Sequence, residues 1–370
     1  MKKDIFNNAF LNKRVLVTGD TGFKGSWLCA WLSMLGARVS GLSLPAKGTK
    51  DNFTRARLAK TIQHFDGDVC DFNLVEKVFS AVRPQIVFHL AAQALVIESY
   101  ARPRETFSTN VLGTLNILDA CKNYSSVKAI VNVTSDKCYD NKEWVHGYRE
   151  TDPLGGKDPY SASKAASEIV SAAYCHSFFS KKGAPAIATA RAGNVIGGGD
   201  WAQNRIVPDC IRALQSGKII SLRNPHATRP WQHVLEPLRG YLLLAKNLFA
   251  EGAAWSGAWN FGPLQANTKT VETLVRHIVK QWGKGAVQPA KTAEKPHEAG
   301  QLNLDISKAL HFLSWRPVLD FNDTVRWTVD EYRAMRQVKN VYDVMKREIS
   351  AYTDKVLETL DMKGATHGAL

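Results

Sequence analysis

The sequence lacks any uninterrupted apolar run approaching the ~20 residues that a bilayer-spanning helix needs, and its basic start, "MKKDIFNNAFLNKR", has no continuous apolar stretch of the kind a secretory leader carries. These absences lead to the expectation of a soluble, cytoplasmic protein with no membrane partner. There is no CxxC, and none of the six cysteines (Cys29, Cys70, Cys121, Cys138, Cys175 and Cys210) stands with a His at zinc-ligand spacing. Reduced, mostly buried thiols and no metal are therefore expected. Charge of neither sign is gathered into runs: the formal net charge of +14 comes from Lys and Arg spread along the chain among acids. That distribution speaks against a nucleic-acid partner and suits a protein that handles small anionic substrates. No internal repeat and no low-complexity linker breaks the chain.

What is present is a chain of 370 residues, 45% of them hydrophobic, enough for one large α/β unit or two lobes sharing an interface. Short β-branched runs alternate with helical patterns: "RVLVT", a helix from Ser26 to Leu35, "ARVSGL", "IVFHLAA", a helix after Pro103, "AIVNVTS", a helix from Tyr160 to Phe179, and "AIATARAG". Strands alternating with helices at this spacing predict right-handed βαβ units, and so a doubly wound parallel sheet covered on both faces. After "GGGDW" the pattern changes to helices at 205–216 and 270–282 between short extended pieces, which predicts a smaller, mostly C-terminal α/β substrate lobe. The expected division is 1–200 for the nucleotide-binding domain, 201–355 for the second lobe and 356–370 for a flexible tail. "AWNFGP" (258–263) looks like a strand returning to the first domain, so the lobes are not cleanly sequential.

"RVLVTGDTGFKGSWLCAWL" reads as a strand, a glycine-rich turn and a helix start, with Gly19, Gly22 and Gly25 in the pattern GxxGxxG. Glycines let such a turn close and let backbone approach a pyrophosphate, while the helix N-terminus offers free N–H groups and a favourable dipole. The turn, including Thr21, Phe23 and Lys24, is thus a candidate dinucleotide site of Rossmann type. "FDGDVCD" follows the expected third strand, and there Asp68, with Val69 beside it, could meet an adenine, whereas Asp71 suits a helix N-cap. "FHLAAQ" ends the fourth strand with Leu90, Ala91 and Ala92, small enough for a flat cofactor to lie against. The acid expected at the end of the second strand for a ribose hydroxyl is missing: Pro45 stands there, with Lys47 beyond. These residues leave NAD against NADP open and predict weak cofactor retention.

"YSASK" puts Tyr160 and Lys164 four apart, on one face of a helix. A phenol beside an ammonium and an oxidised nicotinamide has its pKa lowered, so that it can take a proton from an alcohol as hydride leaves. The spacing alone is weak, because Tyr124/Lys128 and Tyr342/Lys346 share it. Only "YSASK" follows the strand ending "VTSDK", whose Ser135 can bond the same substrate oxygen and whose Asp136 and Lys137 fall at a strand C-terminus, where open parallel sheets bind ligands.

With "TGDTGFKG", "HLAAQ", Ser135, "YSASK" and "RAGNVIGGGD" together, the chain resembles the extended short-chain dehydrogenase/reductases that modify nucleotide sugars, and among them the dehydratases of the CDP-glucose branch. The resemblance runs from about Lys13 to past Trp315, most specifically through "TGFKGSWL", "TSDKCYDNKEW", "RAGNVIGGGDWA" and "RPWQHVLEP". It implies NAD as cofactor and CDP-glucose as substrate: oxidation of hexose C4, loss of water across C5 and C6, and return of the hydride to C6. Asp136 is then the acid for the departing 6-hydroxyl and Lys137 the candidate base for the C5 proton, the alternative being that Lys137 only orients the sugar or Asp136. Gln93, Asn194, Arg205, Arg229 in preference to Arg223, and His233 are candidate substrate contacts, the guanidinium groups suiting a pyrophosphate. "KPHEAG" (295–300) is expected to close the nucleotide pocket. A homodimer or homotetramer is implied, with the helices at 103–121 and from Tyr160 as candidate contacts. Another nucleotide-sugar dehydratase, a 4-epimerase and a silent NAD-binding protein are the competing readings.

Overall fold

The computed structural model describes residues 4–46, 48–290 and 300–367, with side chains as far as Leu360. Lys47 and most of "KPHEAG" lie outside the described residues.

Six strands, β1 (Arg14–Thr18), β2 (Arg38–Ser43), β3 (Gln63–Asp66), β4 (Ile86–His89), β5 (Ala129–Val133) and β6 (Ala186–Ala192), join the returning strand Gly257–Phe261 in one seven-stranded sheet. Every pairing is parallel, and the spatial order is 3-2-1-4-5-6 followed by the returning strand. The doubly wound expectation is met, and the period-2 alternation explains why. Val15, Val17, Ile86, Phe88, Val131 and Val133 face one core with Trp27 and Trp31 of helix α1 (Phe23–Met34). Their neighbours Leu16, Val87, Ile130 and Ile187 face the other, with Val78, Phe79, Ile117 and Leu118. Strands apolar on both faces can be satisfied only between two helical layers.

The chain beyond residue 200 divides between two cores. Val207, Ile211, Trp231, Leu274, Val275, Ile278, Val325 and Val329 form the core of the smaller lobe. Helix Leu235–Glu251, the returning strand and the first half of helix Val341–His367 pack instead with β1 and α1. This last helix runs through most of 356–370, where the sequence predicts a tail, and Val356 is only 2% exposed. Tyr352 fixes it, edge-on to Trp31 with ring centres 5.8 Å apart and donating to Glu236 Oε2 at 2.6 Å. No helix among the described residues is long and apolar enough to cross a membrane.

The 3-2-1-4 order reverses direction between β1 and β4, and the chain leaves both strands at the same edge. Gly19 follows β1, Leu90 follows β4, Ser135 follows β5 and Gly193 follows β6. A ligand crevice outside the strand C-termini is what this topology produces.

Asp20 ties the turn after β1 to the sheet. Its carboxylate is fully buried in the space a side chain at Gly41 would fill, its Oδ2 lies 2.7 Å from His64 Nδ1 on β3, and its Oδ1 has no partner. The His64 pKa is raised, chiefly by this bond to Asp20, with Asp66 at 3.0 Å on the other ring nitrogen adding to it. A raised folded-state value means that the contribution to stability is complete below about 6.5, the ordinary histidine value, and is lost as pH rises through the folded value. Denaturant unfolding from about pH 6 to about pH 9 will therefore show a larger loss of stability in the wild type than in His64→Gln. Equal slopes in the two proteins would refute this role for the pair.

Candidate active site

The turn after β1 is shaped by close approach. Gly19 has φ +76°, and a Cβ there would lie 2.7 Å from the Ala91 nitrogen; a Cβ at Gly25 would lie 2.0 Å from the Gly19 carbonyl oxygen. Thr21 Oγ1 donates to the Leu44 carbonyl at 3.1 Å and accepts from Ser43 Oγ at 2.9 Å, which joins the turn to the end of β2. On the other side Ala91 N donates to Thr18 Oγ1 at 3.2 Å, and that hydroxyl pairs with His89 Nδ1 at 2.7 Å. Burial pushes the His89 imidazole down to about 3, so this bridge is neutral. Gly22, Phe23 and partly exposed Leu90, Ala91 and Ala92 complete a backbone cradle at the N-terminus of α1. The cradle fits a dinucleotide pyrophosphate. Asp68 is exposed and accepts from Cys70 N at 2.9 Å beside buried Val69, while Asp71 caps helix Phe72–Val82 by accepting from Leu74 N.

The end of β5 carries the candidate reactive groups. Ser135 caps a short turn, Asp136–Cys138, and its Oγ accepts from Lys137 N at 3.2 Å and donates to Asp136 Oδ1 at 3.0 Å. The Asp136 side chain is 1% exposed and that of Lys137 29%, with Lys137 Nζ 3.5 Å from Asp136 Oδ1. Asp136 Oδ2 is buried without a partner, over Gly193, where a Cβ would lie 1.9 Å from it.

Tyr160 and Lys164 reach the same place from helix Pro159–Ser177, which Asp158 caps by accepting from Ser161 N at 2.9 Å. Lys164 Nζ donates to the Val133 carbonyl at 3.1 Å. Burial brings its ammonium down to about 8, against the pull of Glu168. The Tyr160 phenol is buried in the same place. Burial raises it to about 12, with the hydrogen bond to Ser135 opposing, so Lys164 alone does not make it acidic.

The other candidates divide. Arg205, at the N-terminus of helix Ile206–Gln215, bonds Asp200 Oδ2 at 2.9 Å, and its charge acts on Tyr160. Asn194 has φ +46° and a buried Oδ1 with no partner, the mark of an acceptor awaiting a donor. Arg229 stands at the rim of the smaller lobe, donating to the carbonyls of Thr228 and Gly300 at 2.8 and 3.2 Å. Gln93 and His233 do not fit the substrate role expected of them. The Gln93 amide is spent on Leu95 and Thr106, and His233 is fully buried with Nε2 3.0 Å from Glu331 Oε1, whose other oxygen accepts from Gly198 N. Both order backbone rather than face a ligand. Of the rival YxxxK pairs, Tyr124 bonds the Glu76 carbonyl at 3.2 Å and Lys346 pairs with Asp343 at 2.9 Å, away from the strand ends.

Sequence reasoning missed a supporting layer. Glu168 accepts from Thr134, Thr189 and Arg191, with Arg191 Nη2 at 2.8 Å, and Arg191 Nη1 donates to Tyr139 at 2.8 Å. The available signals are a charge inside the otherwise apolar β6 and a glutamate one turn beyond Lys164 on the same helix face.

A family model described as GDP-mannose 4,6 dehydratase matches residues 16–328. The chain belongs to that family. It is 46% identical over 352 residues, 94% of this chain and 98% of the relative, to the CDP-glucose 4,6-dehydratase of Salmonella typhimurium (strain LT2). It is 27% identical over 336 residues, 87% of this chain and 98% of the relative, to the dTDP-glucose 4,6-dehydratase of an Actinoplanes species. The UDP-glucose 4-epimerase of Thermus thermophilus, solved in complex with NAD, superposes with a TM-score of 0.73 at 29% identity, over 86% of this chain and 98% of that one. A dehydratase relative and an epimerase neighbour thus cover almost the whole of this chain. Gly193→Ala tests how tightly Asp136 is placed: the added methyl cannot share its position with Oδ2, and turnover is expected to fall at least about 100-fold with dinucleotide binding retained. Activity within a few-fold of wild type would show that the carboxylate is not held there.

Proposed function

We propose that this protein is an NAD-dependent CDP-glucose 4,6-dehydratase. The observation that carries the reading is the Asp136–Lys137 pair, set in one crevice with Ser135, Tyr160 and Lys164, in a chain whose 46% identity to a CDP-glucose 4,6-dehydratase spans almost its whole length. An epimerase needs a base at the C4 hydroxyl and has no use for an acid and an amine at C5 and C6.

When bound, NAD supplies the acceptor for the C4 hydride and gives it back to C6. The rest of the chemistry belongs to side chains. Tyr160, as phenolate, takes the C4 hydroxyl proton; Ser135 steadies that oxygen, and Lys164 holds positive charge behind the phenol below about pH 8. Lys137 takes the C5 proton, Asp136 gives a proton to the 6-hydroxyl, the C6–O bond breaks, and water leaves. As the hydride reaches C6, Lys137 returns its proton to C5, and the C4 hydroxyl proton held by Tyr160 passes by way of Ser135, which meets both Tyr160 and Asp136, to restore the Asp136 acid. Arg205, Asn194 and Arg229 face the diphosphate and nucleoside.

Mass spectrometry after incubation with NAD and CDP-, dTDP-, GDP- and UDP-hexoses is expected to show loss of one water from CDP-glucose alone, without net reduction of NAD. An isomeric sugar in place of a dehydrated one would defeat the proposal. In Asp136→Asn, single-turnover mixing with CDP-glucose should still raise the absorbance of the reduced cofactor, while product formation falls by about 10²–10⁴-fold. Loss of both signals together would remove Asp136 from the acid role.

A homodimer and a cytoplasmic location are part of the same reading. Phe107, Leu112 and Leu115 on 103–123, with Ile169 and Phe178 on or just past the helix that carries Tyr160, are exposed large apolar side chains. A second copy covering them would fix the helix of Tyr160 and Lys164 from outside. Sedimentation of the wild type should give a dimer, and Leu115→Glu combined with Ile169→Glu a monomer.

A further inference from the structure

Glu168 lies one helical turn beyond Lys164 on the same face of helix Pro159–Ser177, and both side chains are buried. They reach neighbouring residues at the end of β5. Lys164 Nζ donates to the carbonyl of Val133, the last residue of that strand, at 3.1 Å, and Glu168 Oε1 accepts from the Thr134 hydroxyl just after it. Glu168 Oε2 accepts on β6, from Thr189 Oγ1 at 2.7 Å and from Arg191 Nη2 at 2.8 Å. Arg191 supplies the countercharge that a carboxylate at this depth needs, so the anion stays in place one turn from the amine.

Ionisable groups on four elements bear on Lys164: Glu168 on its own helix, Cys138 in the turn after β5, His89 on β4 and Lys24 on α1. Burial pushes the Cys138 thiol up and the His89 imidazole down to about 3, which leaves both uncharged, while Lys24 carries charge of the same sign as Lys164. Glu168 is the anion of the set. Burial brings Lys164 down to about 8 against its pull, and an amine so buried with no anion beside it sheds its proton more readily still. A neutral amine gives the Tyr160 phenolate no support.

We propose that Glu168 is a positioning residue for C4 oxidation: pinned between the ends of β5 and β6, its carboxylate keeps Lys164 charged and seated on the Val133 carbonyl. It thereby fixes the alkaline limit up to which the amine supports the Tyr160 phenolate. The proposal rests on the dehydratase reading above and adds a residue that works through Lys164 rather than on the sugar. Removing the charge of the carboxylate lets Lys164 lose its proton at lower pH than in the wild type. A purely architectural carboxylate would instead affect the reaction alike at every pH.

The test is single-turnover mixing of the full chain, saturated with NAD, with CDP-glucose from about pH 6 to about pH 8, reading the rate at which the absorbance of the reduced cofactor appears. In Glu168→Gln, which keeps the shape of the side chain, the rate relative to wild type should fall about 5-fold across that range. Glu168→Asp keeps the charge, so its rate, though lower, should hold a constant ratio to wild type. Glu168→Gln combined with Arg191→Met strands no buried charge and should show the same fall, which keeps the test open if the single variant does not fold. A ratio that stays level with pH in both glutamine variants overturns the proposal. So does a fall in Glu168→Asp equal to that in Glu168→Gln, which would make spacing and not charge the cause. No reduced cofactor from the wild type would bring down the dehydratase reading and the proposal with it, whereas a level ratio brings down the proposal alone.

Discussion

One buried carboxylate organises this molecule. Asp136 has an oxygen engaged by Ser135 and faced by Lys137 and a second oxygen with no partner, pressed against the only kind of residue, a glycine at 193, that leaves it room. Ionising a carboxyl so placed is costly unless its surroundings return the lost solvation. Lys137 stands 3.5 Å away, and the Lys24 ammonium also acts on Asp136. Those cations arrive on separate elements, and the sheet order places the elements side by side. The site is thus a consequence of topology as much as of any one motif.

The positions hold because a second buried charge lies beneath the first. Glu168 is satisfied by Thr134 at the end of β5, by Thr189 on β6, and by Arg191, which also reaches Tyr139 just after the catalytic turn. A carboxylate bonded to strand ends and to the helix of Lys164 locks the spacing between Ser135 and Tyr160. Breaking one partner of such a buried pair typically costs about 3–5 kcal/mol, because it strands the other charge. Lys164 depends on this layer too, since Glu168 opposes the burial that drains its charge.

The sheet, the glycine turn and the Ser135, Tyr160 and Lys164 set were legible in the sequence because each has a local pattern: period-2 apolar strands, close-packed glycines after a strand, and one helical turn between phenol and amine. What was not legible came from distance in the chain. His233 looks like a ligand contact in "RPWQHVLEP", but its partner Glu331 lies 98 residues on, and only the packing of helix Phe321–Gln337 shows that the imidazole is spent internally. Gln93 misleads in the same way, because Thr106 takes its donor. At Tyr160, too, spacing reports only that a lysine is near, whereas burial, which raises the phenol to about 12, is a property of the whole fold.

The charge of the chain gains its meaning at this scale. A net +14 distributed over the surface says little, since surface cations are screened and scattered. Lys24, Lys137, Lys164 and Arg205 are different: they converge on one crevice around Asp136 and Tyr160, where water is partly excluded and the Lys24 ammonium feels the other three cations. Mutual repulsion in such a cluster is relieved by an anion, and the proposed substrate and cofactor each bring a diphosphate. The same repulsion adds to burial in bringing the Lys24 amine toward neutrality, so a crevice that attracts phosphates also favours an uncharged amine.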